Sequence, residues 1–86
     1  MKPDPAFDDV RWYVYIVRCS DDTLYTGVTI DIARRIYAHN NDKGARYTAS
    51  RVPVSLHRLE GPMTHSDALR REREIKRMPR NGKAAL

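Results

Sequence analysis

The clearest hydrophobic pattern in the chain is the run WYVYIV over residues 12–17, which is dense in aromatic and β-branched side chains. Such side chains fit a pleated, buried surface, so the run predicts a central β-strand. A polar turn cluster follows at 20–23, and a second predicted strand covers 24–29, so the two strands are expected to form a hairpin. Residues 54–59 alternate in polarity and predict a third strand that begins after Pro53.

The first of two predicted helices covers residues 32–41. Asp31 is a good N-cap for it, because a carboxylate at that position accepts hydrogen bonds from the free amide groups of the first turn. Ile32 and Ile36 are four residues apart and supply the inward-facing stripe. Residues 42–50 are then expected to form a polar, basic loop.

The second predicted helix follows the Gly61-Pro62 pair, which is expected to break the chain. Thr64 or Ser66 can cap its start. Pro79 should stop it at about Met78, because proline cannot continue a helix. The predicted element order is therefore ββαβα, a small α+β fold.

The expected domain boundaries follow from composition and length. Residues 1–10 carry two prolines and three aspartates, and we interpret them as a disordered leader. The folded domain should span 11–79, and 80–86 should be a tail or a short helix. A chain of 86 residues is long enough for one domain with a modest core, which favours a shallow groove and a polymeric substrate over a deep pocket.

Charge and cysteine content narrow the partners. Lys and Arg total 16 against 11 Asp and Glu, a formal net charge of +5, and the cations concentrate over residues 67–83. This balance favours nucleic acid first and an anionic membrane surface second. Cys19 is the only cysteine, and no stretch has the ~18 apolar residues of a membrane span or the pattern of a signal peptide. We therefore expect a cytoplasmic protein without a membrane partner.

Polar residues at informative positions are the candidates for chemistry. Tyr15 and Tyr25 share a face of the hairpin if its connection has an odd length or carries a bulge, although both can equally be sheet packing. Gly27 weakens a strand interior unless a backbone or a ligand approaches it closely. Arg35 and His39 are four residues apart beside the apolar stripe, so they form either a solvated helix edge or part of a site.

Glu72 is the most informative of these residues. The apolar stripe of the second predicted helix consists of Ala68, Leu69 and Ile75, and Glu72 lies at helical spacing from all three. Glu74 is turned about 200° from Glu72, at ~100° per residue, and should face solvent. A carboxylate on a buried face is costly unless it is paired or binds a metal. Glu72 therefore forms a buried ion pair with an arginine or holds a metal ion.

These residues occur in an ordered set of motifs. Tyr13-Val14-Tyr15 and Tyr25-Thr26-Gly27 are separated by nine residues, and they are followed by Arg35, His39 and Ala68-Leu69 with Glu72 three positions later. The combination resembles the GIY-YIG nuclease superfamily, and it is most similar to the small single-domain bacterial group called YhbQ-like. The first motif here reads Tyr-Val-Tyr rather than Gly-Ile-Tyr, and the second reads Tyr-Thr-Gly rather than Tyr-Ile-Gly.

The resemblance implies a three-stranded antiparallel sheet flanked by helices, with a nuclease centre on its surface. Tyr15 and Tyr25 would be the motif tyrosines, one of which orients or deprotonates the attacking water. Arg35 would contact the scissile phosphate and His39 would assist proton transfer. Glu72 would hold a single divalent ion, Mg²⁺ or Mn²⁺, which agrees with the need of phosphodiester hydrolysis for a metal, a cation and water-orienting groups.

The expected function is a divalent-metal-dependent endonuclease that acts on nucleic acid, DNA rather than RNA, in repair or recombination. No small-molecule cofactor is expected. The alternative is a non-catalytic nucleic-acid-binding module that keeps the fold; a role with a protein partner has no positive support in the sequence. The residues assigned to nucleic-acid binding are Gly27, which would give close backbone access, and Lys43, Arg46, Arg70, Arg73, Lys76 and Arg77.

Overall fold

The structure, a computed structural model, describes residues 10–41 and 44–86. The expectation of a disordered leader over residues 1–9, and the assignment of Lys43 to nucleic-acid binding, lie outside the described residues. None of the described helices has the length and apolar character that a membrane-spanning helix requires. The elements are β1 (Trp12–Arg18), β2 (Leu24–Thr29), α1 (Ile32–Asn40), α2 (Arg46–Ala49), β3 (Ser55–Met63), α3 (His65–Lys76) and α4 (Arg80–Ala84).

The three strands form one antiparallel sheet in the order β2-β1-β3, so β1 is the central strand. The predicted three-stranded antiparallel sheet flanked by helices, an α+β fold, is confirmed. Two short helices add to the predicted order: α2 within the expected basic loop and α4 near the end of the chain. The β1–β2 connection covers residues 19–23, an odd length, and it pairs Tyr15 with Gly27 and Val17 with Tyr25. Tyr15 and Tyr25 therefore lie on the same face of the sheet.

The prediction that the Gly61-Pro62 pair breaks the chain is wrong, because β3 passes through it and ends only at Met63. Gly61 has φ +131°, a conformation that favours glycine, and the pairing of β3 with β1 shifts register between Trp12 and Val14. This irregularity is a β-bulge, which accommodates an extra residue without ending the strand. Because β3 is an edge strand, a proline in it costs no hydrogen bond to a further strand.

The sheet separates two apolar clusters. Val14 and Ile16 of β1 point to one face, where they pack against Ala68 and Ile75 of α3. The intervening residues of β1 point to the other face, toward α1. This alternation follows from the two-residue period of a strand and assigns one helix to each face. The cluster on the α1 face contains Tyr15, Val17, Cys19 and Val54, with Tyr25, Ile32 and Ile36 packed against it.

Capping residues fix where the two longer helices start. The Asp31 carboxylate accepts a hydrogen bond from the backbone N–H of Arg34 at 3.0 Å, so the predicted N-cap of α1 is confirmed. Of the two candidates for α3, Thr64 is the cap, since its hydroxyl oxygen accepts from the N–H of Asp67 at 3.2 Å. The helix ends at Lys76, slightly before the predicted end.

An ion pair with two hydrogen bonds fastens α3 to β3. Arg71 donates from Nε to Glu60 Oε1 at 2.8 Å and from Nη2 to Oε2 at 3.1 Å, and the side chains are only 27% and 15% exposed. The hydrogen bond from Arg71 is the main reason that the pKa of Glu60 lies below its usual range, and Arg58 adds to the effect. With Arg71 held against β3, Glu72 and Lys76, which lie about 100° and 140° further round the helix, are on the flank that faces β2.

Substituting Glu60→Gln should lower the free energy of unfolding by about 1–2 kcal/mol at pH 7, because hydrogen bonds to a charged group are lost. A carboxylate whose folded-state pKa is lowered stabilises the fold above its unfolded-state pKa, and this stabilisation is lost as the pH falls through the folded-state value. Urea unfolding should therefore show the full difference at pH 7 and a shrinking one below about pH 4.3.

The matched control for Glu60→Gln is Glu74→Gln, because the Glu74 carboxylate is more than half exposed on α3. That substitution should change stability by less than about 0.5 kcal/mol. Equal losses in the two variants, or a Glu60→Gln effect that does not depend on pH, would contradict the role given to the ion pair.

Candidate active site

The hydroxyl of Tyr15 is the centre of a polar cluster inside the apolar packing of the α1 face. The residue is 1% exposed. Its oxygen accepts a hydrogen bond from Arg35 Nε at 3.0 Å and lies 2.9 Å from His39 Nε2. The helix spacing of Arg35 and His39 places both on the side of α1 that covers β1, so the structure brings the three predicted residues into direct contact.

His39 is fully buried rather than part of a solvated helix edge. Burial lowers the pKa of its imidazole, and the positive charge of Arg35 lowers it further. The ring is therefore neutral near pH 7. Its Nδ1 lies 2.7 Å from the hydroxyl of Thr48, on α2, and that hydroxyl donates to the carbonyl oxygen of Ala45 at 3.0 Å.

Two glycines make room for these side chains. A Cβ atom added to Gly27 would lie 2.4 Å from the Tyr15 hydroxyl oxygen, and one added to Gly44 would lie 2.4 Å from His39 Nδ1. Both distances are far below a van der Waals contact, so neither position accommodates a side chain without displacing the site. The Tyr15 ring thus accounts for Gly27 through packing within the chain.

Tyr25 extends the cluster toward the surface. Its ring meets His39 edge-on at a centroid distance of 5.5 Å and stacks on Tyr47 at 5.8 Å. The guanidinium of Arg51 lies 4.1 Å from the centre of the Tyr47 ring, and Lys76 Nζ lies 5.9 Å from that of Tyr25. Among residues 10–41 and 44–86 the Tyr25 hydroxyl has no hydrogen-bond partner, so of the two motif tyrosines Tyr25 is the one whose hydroxyl is available to a bound molecule.

Glu72 borders the same cluster from α3. Its side chain is 18% exposed, and it pairs with Lys76 Nζ at 3.4 Å rather than with an arginine. Burial is the main cause that raises the pKa of Tyr15, and the hydrogen bond from Arg35 opposes it, so Tyr15 is protonated at neutral pH. The negative charge of Glu72 adds a small further rise to the pKa of the phenol.

The residues around Glu72 fit a metal ion bound through a single carboxylate. Within the described ranges there is no group of three or more His, Cys, Asp or Glu side chains that could enclose a metal. Mg²⁺ keeps several waters and is commonly held by one or two carboxylates together with substrate phosphates. Glu72 suits that mode, because its carboxylate is partly exposed and its ion-pair partner is a half-exposed lysine.

The cations assigned to nucleic-acid binding are exposed wherever the structure describes them. On α3, Lys76 lies beside Glu72, and Arg73 lies farther from the core; Arg77 directly follows the end of the helix. Arg70 pairs with Asp67 at 3.0 Å. Within residues 10–41 and 44–86, Arg46, Arg73 and Arg77 have no ion-pair partner.

The surface beside the site is shallow. One hollow of about 300 Å³ includes Arg35 in its lining. A second hollow of about 200 Å³ includes Tyr47, Arg80 and Lys83 in its lining. Shallow hollows of this kind suit a strand-like substrate better than an enclosed small molecule.

Three residues of the cluster were not among the sequence candidates: Tyr47, Thr48 and Arg51. All lie within or just after α2, where the sequence predicts only a basic loop. The available signal was the spacing of Tyr47 and Arg51, four residues apart. It is too weak to use alone, because most such pairs lie on solvated surfaces.

This chain is similar in sequence to several known proteins. Residues 11–84 match the family model described as the GIY-YIG catalytic domain. A UPF0213 protein of Desulfotalea psychrophila is 51% identical over 83 residues, which cover 95% of this chain and 76% of that protein. A UPF0213 protein of Haloquadratum walsbyi is 53% identical over 74 residues, 86% of this chain and 83% of the relative.

A solved structure extends the similarity to three dimensions. It is the solution NMR structure of a UPF0213 protein from Bacillus halodurans, which is 41% identical to this chain. The two align with a TM-score of 0.56 over 87% of this chain and 80% of the other. At this level of identity the likeness covers sequence as well as fold.

Replacing Gly27 with alanine should displace the Tyr15 ring and lower the free energy of unfolding by about 1–3 kcal/mol, the usual cost of overpacking. Urea unfolding measures the loss, and the imidazole NMR signals of His39 should shift because its contact with Tyr15 changes. Gly82→Ala is the matched control: its added Cβ would lie an ordinary 3.5 Å from Met78. A Gly27→Ala protein with wild-type stability and His39 signals would show that the tyrosine is not held as described.

Proposed function

Because this chain belongs to the GIY-YIG nuclease superfamily, we propose that it is an endonuclease that hydrolyses phosphodiester bonds with a divalent metal ion. The observation that carries the proposal is the contact of Tyr15 with Arg35 and His39, close to the Glu72 carboxylate. GIY-YIG nucleases generally use divalent metals and act on nucleic acid. DNA is proposed over RNA, with a role in repair or recombination, on the family resemblance alone.

Glu72 is the residue proposed to hold the ion, Mg²⁺ or Mn²⁺. When bound, such an ion neutralises charge on the phosphate and lowers the pKa of a coordinated water. Within the described ranges no group of three or more metal-binding side chains exists, so waters and substrate oxygens would complete the coordination at Glu72.

Arg35 is proposed to bind the scissile phosphate. Its Nε is committed to Tyr15, and within the described ranges its terminal nitrogens have no hydrogen-bond partner, so they are free for phosphate oxygens. Arg35 also lines the larger hollow. A guanidinium fixed before the substrate arrives needs little reorganisation as charge develops on the phosphate, which favours the transition state.

We propose that the attacking water is oriented and deprotonated by Tyr25, Tyr15 and His39. Tyr25 would orient the water with its unpartnered hydroxyl. Tyr15 would take the proton of the water while passing its own to Nε2 of neutral His39, since its raised pKa leaves little phenolate at neutral pH. His39 is fully buried, so the Tyr15 hydroxyl at 2.9 Å would be its route to the water.

The second candidate function is a nucleic-acid-binding module that does not cleave. The exposed cations Arg73 and Arg77, which have no ion-pair partner among residues 10–41 and 44–86, support this candidate. Under either function we place the protein in the cytoplasm. Cys19, its sole cysteine, is buried and free, as reducing conditions would leave it.

Cleavage of labelled duplex, single-stranded and branched DNA with Mg²⁺ or Mn²⁺ tests the catalytic proposal. Glu72→Ala and Arg35→Ala should each reduce the rate by roughly 100-fold or more, because each removes a group that stabilises the transition-state charge. Glu74→Ala and Arg34→Ala are the matched controls and should cleave at the wild-type rate, since both side chains are exposed neighbours.

Matching RNA substrates test the preference for DNA. A wild-type cleavage rate from Glu72→Ala would place the metal or the activity elsewhere. Binding without cleavage by the wild-type protein on every substrate would favour the second candidate.

Salt dependence of binding tests two exposed cations, Arg73 on α3 and Arg77 directly after its end. Arg73→Ala and Arg77→Ala should each reduce the slope of log affinity against log salt by about 0.9 on duplex DNA, because each removes one phosphate contact. Arg58→Ala, on the edge strand β3, is the control and should leave the slope unchanged. Fluorescence anisotropy at several salt concentrations measures the slopes. Unchanged slopes for both Arg73→Ala and Arg77→Ala would show that these two side chains do not contact the phosphates.

A further inference from the structure

Thr48 is a buried polar residue that belongs to none of the family motifs. It lies on the short helix α2 and is fully buried. Its hydroxyl makes two hydrogen-bond contacts, one with His39 Nδ1 at 2.7 Å and one with the carbonyl oxygen of Ala45 at 3.0 Å. These contacts join α2 to the buried end of the Tyr15 cluster.

The bond from the Thr48 hydroxyl to Ala45 sets the direction of its contact with His39. A carbonyl oxygen only accepts, so the single hydroxyl proton of Thr48 is used on Ala45. The Thr48 oxygen can then only accept from His39, and Nδ1 must carry the proton. In a neutral imidazole this leaves Nε2 as an acceptor, facing the Tyr15 hydroxyl at 2.9 Å.

With the hydrogen bond from Arg35, these contacts form a chain of hydrogen bonds in which each group donates to the next. Arg35 Nε donates to the Tyr15 oxygen, and the Tyr15 hydroxyl donates to His39 Nε2. His39 Nδ1 donates to Thr48, which donates to the backbone. In the other tautomer, Nε2–H and Arg35 Nε–H would both point at the Tyr15 oxygen, and His39 could take no proton from it.

We propose that Thr48 is a positioning residue that holds His39 in its Nδ1–H tautomer and so keeps Nε2 able to accept the Tyr15 proton. This inference rests on the proposed function, because the tautomer matters for catalysis only if His39 receives that proton. Gly44 leaves room for the contact between His39 and Thr48, because a Cβ atom there would lie 2.4 Å from His39 Nδ1.

A hydroxyl does this task differently from a carboxylate. The side chains in contact with the His39 ring are those of Tyr15, Tyr25 and Thr48, and the positive charge of Arg35 is nearby. No described carboxylate forms a hydrogen bond with the ring. Thr48 therefore fixes the tautomer without adding negative charge that would favour a permanent imidazolium. His39 stays neutral between turnovers and can accept a proton again.

The direct test is the tautomer of His39 in the intact protein. Long-range ¹H–¹⁵N correlation spectra distinguish a protonated from an unprotonated imidazole nitrogen, and the chain has only 3 histidines. Wild type should show Nδ1 protonated and Nε2 unprotonated. Thr48→Val, which keeps the shape and removes the hydroxyl, should lose this pattern, and Thr48→Ser should restore it. Thr26→Val replaces another buried threonine, on β2; it is the control and should keep the wild-type pattern.

A kinetic test separates this inference from the proposed function. Thr48→Val should lower kcat by about 10- to 100-fold with little change in KM, and Thr48→Ser should stay within a few-fold of wild type. If wild type cleaves nothing, the proposed function fails, while the spectra still decide the tautomer. An Nε2–H tautomer in wild type, or an unchanged Nδ1–H tautomer in Thr48→Val, overturns the inference; the wild-type spectrum decides it even if a variant does not fold.

Discussion

The site depends on one phenol oxygen held between two groups of a neighbouring helix. Tyr15 lies on the central strand, and its hydroxyl meets Arg35 and His39 at 3.0 and 2.9 Å. Three features make this possible: an odd-length hairpin connection, a glycine opposite the ring at Gly27, and a helix start fixed by the Asp31 cap. Buried polar groups must be satisfied, so each contact orients the next, and the cluster behaves as a unit.

One face of the sheet holds apolar packing against α3, and the other holds the polar cluster around Tyr15. The face that α3 covers is apolar, and the Arg71–Glu60 pair fastens that helix to the far strand. The flank of α3 that carries Glu72 and Lys76 then faces β2, the edge strand that carries Tyr25. A core this small favours a shallow groove over an enclosed pocket, and the groups around Tyr25 border a surface where a strand of nucleic acid could lie.

Sequence reasoning predicted the sheet, the caps and the residues that meet at Tyr15, because strand period, helix spacing and ordered motifs are local signals. It missed the contribution of Thr48, since a short helix in a polar loop leaves no periodicity to detect. It also ended β3 too early at Gly61-Pro62, because a bulge on an edge strand depends on the partner strand. For Glu72 it offered an arginine or a metal ion as the partner, and the structure pairs the carboxylate with Lys76, one turn away, instead of an arginine.

The central claim is that the carboxylate of Glu72 and the tyrosine cluster belong to one binding site, with room for a single phosphate group. Paramagnetic line broadening by Mn²⁺ in the NMR spectrum of the isotopically labelled protein tests it most directly, because the effect falls steeply with distance from the ion. The account predicts that broadening centres on Glu72, reaches Tyr25 and Tyr15, spares Arg58, and disappears in Glu72→Ala. Broadening centred on another part of the fold, or unchanged in Glu72→Ala, would contradict it.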